Sequence, residues 1–375
     1  MVIYNPFIIS GYEGERYFCD REAELAHLSS EIHNGNNVAL IAARRMGKSG
    51  LIEHYFNQQA ITENYYTFFI DIYDTTSLSE LILKLSREIL KKLQPYGVKA
   101  LQRFWDCVRS LQAGITFSPM GEPSFNVQIG DIKESRVTLD EIFRFIEIAD
   151  KPCLIAIDEF QQIVHYPEKN VEATLRTYVQ HSHNAHFIFA GSQRHIMGTM
   201  FTNAARPFYQ SVSIMHLGSI DVAKYDQFAK NHFHEGGKEL DNGVTEKVYR
   251  YSKGITWYIQ KLFNTMYAHT EGGHVCRLQD VDDALDYIIN TQAYSYEELL
   301  FRLPEKQKLV MMALAQNGPT KNVTSSSFFR KYGLSSASSV QSAIRGLLDK
   351  DFITYENGEY FVYDLFLAQW IQREY

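Results

Sequence analysis

Short continuous apolar runs recur through the first half of the chain, and helical spacing of apolar positions sets in next to each of them. Val38-Ala39-Leu40-Ile41 leads into Leu51, Ile52, Tyr55 and Phe56. The aromatic and β-branched run from Tyr65 through Ile72 leads into residues 77–93, where leucine and isoleucine return every three or four places. Residues 138–149 predict a helix ahead of the run Cys153-Leu154-Ile155-Ala156-Ile157, and Ala185 to Ala190 supplies a further strand. Strands apolar throughout, alternating with amphipathic helices, are the mark of a parallel sheet covered on both faces.

Three stretches depart from this rhythm. Residues 115–118 and 125–129 alternate in polarity around Pro-Met-Gly-Glu-Pro, which predicts a β-hairpin insertion at about 113–130. Residues 225–234, 245–251, 254–267 and 278–289 read as helices broken by Gly236-Gly237 and Gly272-Gly273, a small helical lid. The end of the chain gives a helix after Pro304, a short helix over 325–331 and another after Ser336. Two β runs then flank Glu356-Asn357-Gly358-Glu359, whose Asn-Gly is a strong hairpin signal. Three helices and a two-stranded wing make a winged helix-turn-helix. The expected architecture is an α/β core over 1–217, a helical lid over 218–292 and a winged helix-turn-helix domain over 293–375.

At 375 residues two or three domains are expected, and 45% hydrophobic with 22% charged residues is ordinary for a globular chain. The net charge of −7 forces no nucleic-acid-binding face. Cys19, Cys107, Cys153 and Cys276 are scattered, which suits reduced thiols better than disulfides or zinc. His181, His183 and His186 lie close together but have no acidic partner at ligand spacing. The N-terminus lacks a basic start before an apolar stretch, and no apolar run reaches 18 residues, so a cytoplasmic protein without membrane spans is expected.

The chemistry sits at the ends of the strands. Ala42-Ala43-Arg44-Arg45-Met46-Gly47-Lys48-Ser49-Gly50 lies between an apolar strand and a helix, the setting in which a phosphate-binding loop is credible. N–H groups of such a turn and the positive end of the helix dipole converge on one concavity. Gly47 admits close backbone approach, Lys48 reaches the β- and γ-phosphates, and Ser49 holds Mg²⁺. The full pattern has glycine where Ala42 stands, which is tolerable if Ala42 keeps φ below zero. The second motif is the strand ending Ile157-Asp158-Glu159-Phe160, which delivers two carboxylates to the edge where ligands bind in open α/β sheets. Asp158 completes a Mg²⁺ shell and Glu159 polarises a water for attack on the γ-phosphate.

These residues, with Phe18-Cys19-Asp20-Arg21-Glu22, Gly191-Ser192-Gln193, Arg206-Pro207-Phe208-Tyr209 and the winged-helix end from Tyr332 to Gln341 with Val362-Tyr363-Asp364, resemble the archaeal-type ATPases. That family is a branch of the P-loop NTPases allied to AAA+ and the STAND signalling NTPases. The resemblance covers nearly the whole chain. It departs at Ala43, where the family usually has proline, and at Gln210, often arginine. It implies an ATP-binding core, a helical lid and a winged helix. It further implies that the segment holding Phe18 and Arg21 wraps the adenine, although Asp20 also reads as the cap of an ordinary helix with Leu25 and Leu28 inward. Ser192 or Gln193 would sense the γ-phosphate. Arg206 is a candidate for stabilising transition-state charge, with Arg44 and Arg45 as alternative cations and a plain surface arginine as the other reading.

The expected function is Mg²⁺-dependent ATP hydrolysis, slow, serving a nucleotide-driven conformational switch. Two other classes fit the sequence: a DNA-binding regulator acting through the winged helix, and a nucleotide-binding scaffold without useful turnover. Over 301–375 nine Lys and Arg stand against seven Asp and Glu, a difference of +2. Phosphate contacts supply most DNA affinity, so a protein partner or self-association is favoured over DNA.

Overall fold

The computed structural model describes residues 5–93, 115–117, 123–125, 135–334, 336–356 and 358–375. The chain forms two compact units, Met1–Phe228 with Gly254–Gln260, and Ala229–Lys253 with Lys261–Tyr375.

The first unit runs α1 (Glu22–His33), β1 (Val38–Ile41), α2 (Lys48–Phe56), α3 (Gln59–Asn64), β2 (Tyr66–Asp71) and α4 (Leu78–Lys92). A small antiparallel pair follows, β3 (Ile115–Phe117) and β4 (Pro123–Phe125). Next come α5 (Ser135–Glu147), β5 (Cys153–Asp158), a 3-10 turn (Phe160–His165), α6 (Val171–His181), β6 (Ala185–Gly191), α7 (Arg194–Thr202) and β7 (Ser213–His216). The five long-range strands form one parallel sheet in the order β2-β5-β6-β1-β7. The hairpin expected near 113–130 pairs Ile115 with Phe125. Its predicted second strand at 125–129 and its loop lie largely outside the described residues, as does Cys107.

Strand side chains alternate between faces, and the sheet buries both. Ala39, Ile41, Ile155, Ile157, Phe187 and Phe189 pack under α4, α5, α6 and α7. Val38, Leu40, Leu154, Ala156, Ile188 and Ala190 pack under α1 and α2. All six residues of β5 are buried, which is why that strand reads as an unbroken apolar run until Asp158. Asp158 comes at its C-terminal edge, beside the end of β6 and close to the loop that follows β1.

α8 (Val222–Glu235) begins in the first unit and ends in the second. The second unit continues with β8 (Glu239–Leu240) and α9 (Val244–Ser252), and takes in α10 (Thr256–His269) from Lys261 onward. β9 (Val275–Cys276) pairs with β8 and precedes α11 (Leu278–Arg302). That helix runs past the predicted end at 289, because nothing before Pro304 breaks it and Tyr296 and Leu300 bury the same face as Ile288 and Ile289. The winged helix comprises α12 (Glu305–Asn317), α13 (Ser326–Tyr332), α14 (Ala337–Leu348), the hairpin β10 (Ile353–Glu356) with β11 (Glu359–Val362), and α15 (Leu365–Glu374). Side-chain caps start three of its helices: Ser325 accepts from Phe328 N, Ser336 from Ser339 N, and Asp364 from Phe366 N and Leu367 N. Among the described residues no helix is long and apolar enough to cross a membrane.

Candidate active site

The loop between β1 and α2 carries the phosphate-loop pattern. Gly47 sits at φ +91°, a conformation that a side chain strains, and it precedes the first turn of α2. Arg45 also takes the left-handed region, at φ +67°. Ala42 does not, and it is fully buried, so the methyl group in place of the pattern's first glycine meets the condition set for it.

Three residues hold this loop by its carbonyl oxygens. Arg21, 3% exposed, donates to Met46 O at 3.4 Å and to Gly218 O at 2.7 Å, and pairs with Glu24 at 2.5 Å. Thr256 Oγ1 donates to Met46 O at 3.1 Å, and Trp257 N donates to Arg45 O at 3.0 Å. The Arg45 guanidinium lies 4.4 Å from the Trp257 ring centre and 5.0 Å from that of Tyr258, whose hydroxyl it also bonds. Arg45 is thus engaged with aromatic rings, and Arg21 braces the loop from behind.

In front of the loop lies a cavity of about 330 Å³. Arg44, Arg45, Gly47, Lys48, Ser49, Gly50 and Glu159 line its polar side. Ile8, Ile9, Tyr12, Phe18 and Trp257 line the apolar side. Phe18 stacks on His54 with ring centres 4.2 Å apart, and Tyr12 OH bonds His54 Nδ1 at 2.7 Å, so the aromatic wall is fixed in place.

Across the cavity floor the two motifs meet. Ser49 Oγ donates to Asp158 Oδ2 at 2.6 Å. Lys48 and Asp158 are each 6% exposed. Burial pushes the Lys48 ammonium down from its ordinary value, while Glu159 and Asp158 oppose the shift. Burial likewise pushes the Asp158 carboxyl up, against the Ser49 hydrogen bond and the Lys48 charge. Glu159, at φ +55°, accepts at Oε2 from Ser192 Oγ at 2.6 Å and from Gln161 Nε2. Arg44 Nε donates to Ser192 Oγ at 3.3 Å.

Lys48, Ser49, Asp158, Glu159, Ser192 and Arg44 are therefore brought together, with Phe18 on the cavity wall. Ala43 and Met46 belong to the loop without lining the cavity, and Gln193 stands at the start of α7. Arg206 does not line the cavity; it forms an ion pair with Glu172 on α6. Sequence reasoning passed over Gln161, Gln260 and Arg194. Gln260 lines the cavity, and the charge of Arg194 reaches Lys48. Gln260 and Arg194 carry no local pattern, and Gln161, two places after Glu159, shows its bond to that carboxylate only in the folded chain.

Ser49 and Asp158 offer a hydroxyl and a carboxylate oxygen at one point, a hard donor set. Mg²⁺ asks for one or two protein oxygens and completes its shell with water and phosphate, so these residues fit it. Among the described residues no group of three or more His, Cys, Asp or Glu forms a self-sufficient metal site.

A parallel sheet of this order, with a Gly-Lys-Ser helix start facing an Asp-Glu strand end, defines the P-loop ATPase class of fold. The chain belongs to the family described as the ATPase domain predominantly from Archaea, which matches residues 18–262. Residues 294–373 match a family described as a probable winged helix domain. Among solved structures it is similar to the Walker-type ATPase PABY2304 of Pyrococcus abyssi, at 18% identity and a TM-score of 0.65 over 98% of this chain and 99% of that one. It is also similar to the ORC1 protein of Aeropyrum pernix, solved in complex with DNA, at 11% identity and a TM-score of 0.53 over 95% and 93%. The ADP form of the ORC2 protein of the same organism gives 12% identity and a TM-score of 0.52 over 98% and 97%. No curated protein sequence matches the chain.

Proposed function

We propose that the protein binds ATP with Mg²⁺ in this cavity and hydrolyses it slowly, using the cycle as a conformational switch. The observation that carries the reading is the meeting of Ser49 and Asp158 at 2.6 Å, with buried Lys48 beside them and Glu159 on the same floor. Lys48 neutralises phosphate charge, and the first turn of α2 adds N–H groups and the positive end of its dipole. Ser49 and Asp158 hold Mg²⁺, which when bound draws charge from the phosphate oxygens. Phe18 and the apolar wall receive the base.

Glu159 orients the attacking water. The water oxygen bonds to the γ-phosphorus as the bridging P–O bond breaks; the electron pair leaves with ADP, and one water proton passes to the Glu159 carboxylate. Ser192 and Gln193 lie toward the γ-phosphate end, and Arg206, paired with Glu172, is a candidate cation only if that pair opens.

Residues 218–292 act as a lid and 293–375 as a winged helix whose position follows the nucleotide. Trp257 and Thr256 support this reading, since α10 starts on the loop's own carbonyls. The winged helix serves a protein partner or self-association in the cytoplasm. DNA comes second: α14 exposes Ser338, Gln341 and Ser342 with Arg345 as its one cation, and the ORC1 complex speaks for ORC1. Steady-state phosphate release tests the enzyme reading, because Glu159→Gln should lower the rate by about 10²- to 10⁴-fold. Equal rates would remove Glu159 from the mechanism.

A further inference from the structure

The side chains around Glu159 carry more than the sequence motif assigns. Gln161, in the 3-10 turn just after β5, is 2% exposed. Its Nε2 donates to Glu159 Oε2, the same oxygen that accepts from Ser192 Oγ at 2.6 Å. The serine hydroxyl has one proton, and its other neighbours are Gln161 Nε2 at 3.5 Å and Arg44 Nε at 3.3 Å. Both neighbours are donors only, so they face its lone pairs and the proton points at the carboxylate. The direction of the Ser192 hydroxyl is thereby fixed toward Glu159.

Space has been kept for this amide. A Cβ at Gly191 would stand 2.4 Å from Gln161 Oε1 and 2.5 Å from Met197. Gln161 Oε1 is buried without a hydrogen-bond partner among the described residues. An unpaired buried amide oxygen is destabilising, and an apolar side chain of the same size would avoid that cost. What the amide gives in return is its grip on Glu159.

Resting on the reading of the site as an ATPase, we propose that Gln161 is a positioning residue for hydrolysis. With Ser192 it clamps one oxygen of Glu159, leaving Oε1 to receive the water. Ser192 accordingly acts through Glu159 and does not donate to the γ-phosphate.

The test is a double-mutant cycle on the full chain, measuring kcat by phosphate release and ATP affinity by equilibrium titration. Gln161→Leu should lower kcat by about 10- to 100-fold, the loss of a hydrogen bond to a charged group, with ATP affinity held within about twofold. In a Glu159→Gln background the same change should alter the residual rate by less than about twofold, since the group it acts through is gone. Ser192→Ala, which removes only a hydroxyl, should repeat the pattern and serves if Gln161→Leu melts early. Equal losses in both backgrounds, or a fall in affinity matching the fall in kcat, would overturn the assignment. An active Gln161→Leu beside an inactive Glu159→Gln sinks this inference alone. A Glu159→Gln as active as wild type sinks the ATPase reading and this inference with it.

Discussion

Two regions of this chain were expected to meet other molecules, and they are built on different terms. The cavity at the end of β5 buries Lys48, Asp158 and Ser192, each under 8% exposed. The winged helix buries Val340, Ile344 and Leu347 of α14 and turns Ser338, Gln341, Ser342 and Arg345 to solvent. Burying ionisable groups is costly unless they are paired, so a fold that gathers several in one hollow has a use for them. The winged helix has no such cost to explain. None of its described Lys, Arg, Asp or Glu side chains is buried, and its shape alone says nothing of what it touches.

The sharpest way to break this contrast is a pair of substitutions. Saturating Mg-ATP at about 100 Kd should stabilise the wild type by about 2.7 kcal/mol. Thermal unfolding should find that shift lost in Lys48→Ala and intact in Arg345→Ala. A smaller effect belongs to the winged helix by itself. Asp364→Ala removes the double cap of α15 and should cost about 1 kcal/mol in denaturant unfolding, with ATP affinity unchanged. Weaker again is any pull on DNA. With one exposed cation on α14, a salt titration of duplex binding should show a log–log slope no steeper than about −2, where a true phosphate-reading surface gives −0.9 per contact.

The last expected effect is confined to alkaline pH and leaves the winged helix out. Burial pushes the thiols of Cys153, on β5, and Cys276, on β9, up to about 12 from an ordinary value of 9.0. Folding therefore favours the protonated form. The stabilising contribution is complete below pH 9 and is lost as pH rises toward about 12. Urea midpoints should be insensitive to these thiols up to pH 9 and fall above it.

Much of the first region was legible because its chemistry is written in consecutive residues. A phosphate loop needs Gly47, Lys48 and Ser49 side by side, and a fully buried strand such as β5 admits no polar residue before its end. The edge strand β7 was missed because only Met215 of its four residues is buried. Gln161 was illegible for another reason: Ser192, which shares the Glu159 oxygen with it, comes from the end of β6 and is brought near by the β5–β6 register. Arg21 reads as part of a base-binding segment yet reaches the carbonyl of Met46. In the winged helix, α15 was open to reading, since Asp364 caps Leu365, Phe366, Trp370 and Ile371 at helical spacing.

The central claim is that Lys48, Ser49, Asp158 and Glu159 face one triphosphate. A crystal structure of the full chain with Mg²⁺ and a non-hydrolysable ATP analogue tests it most directly. The account predicts Lys48 Nζ within hydrogen-bond reach of the β- and γ-phosphates, and the metal between Ser49 and the Asp158 side. An analogue bound elsewhere, or a cavity left without it at saturating concentration, would contradict the account.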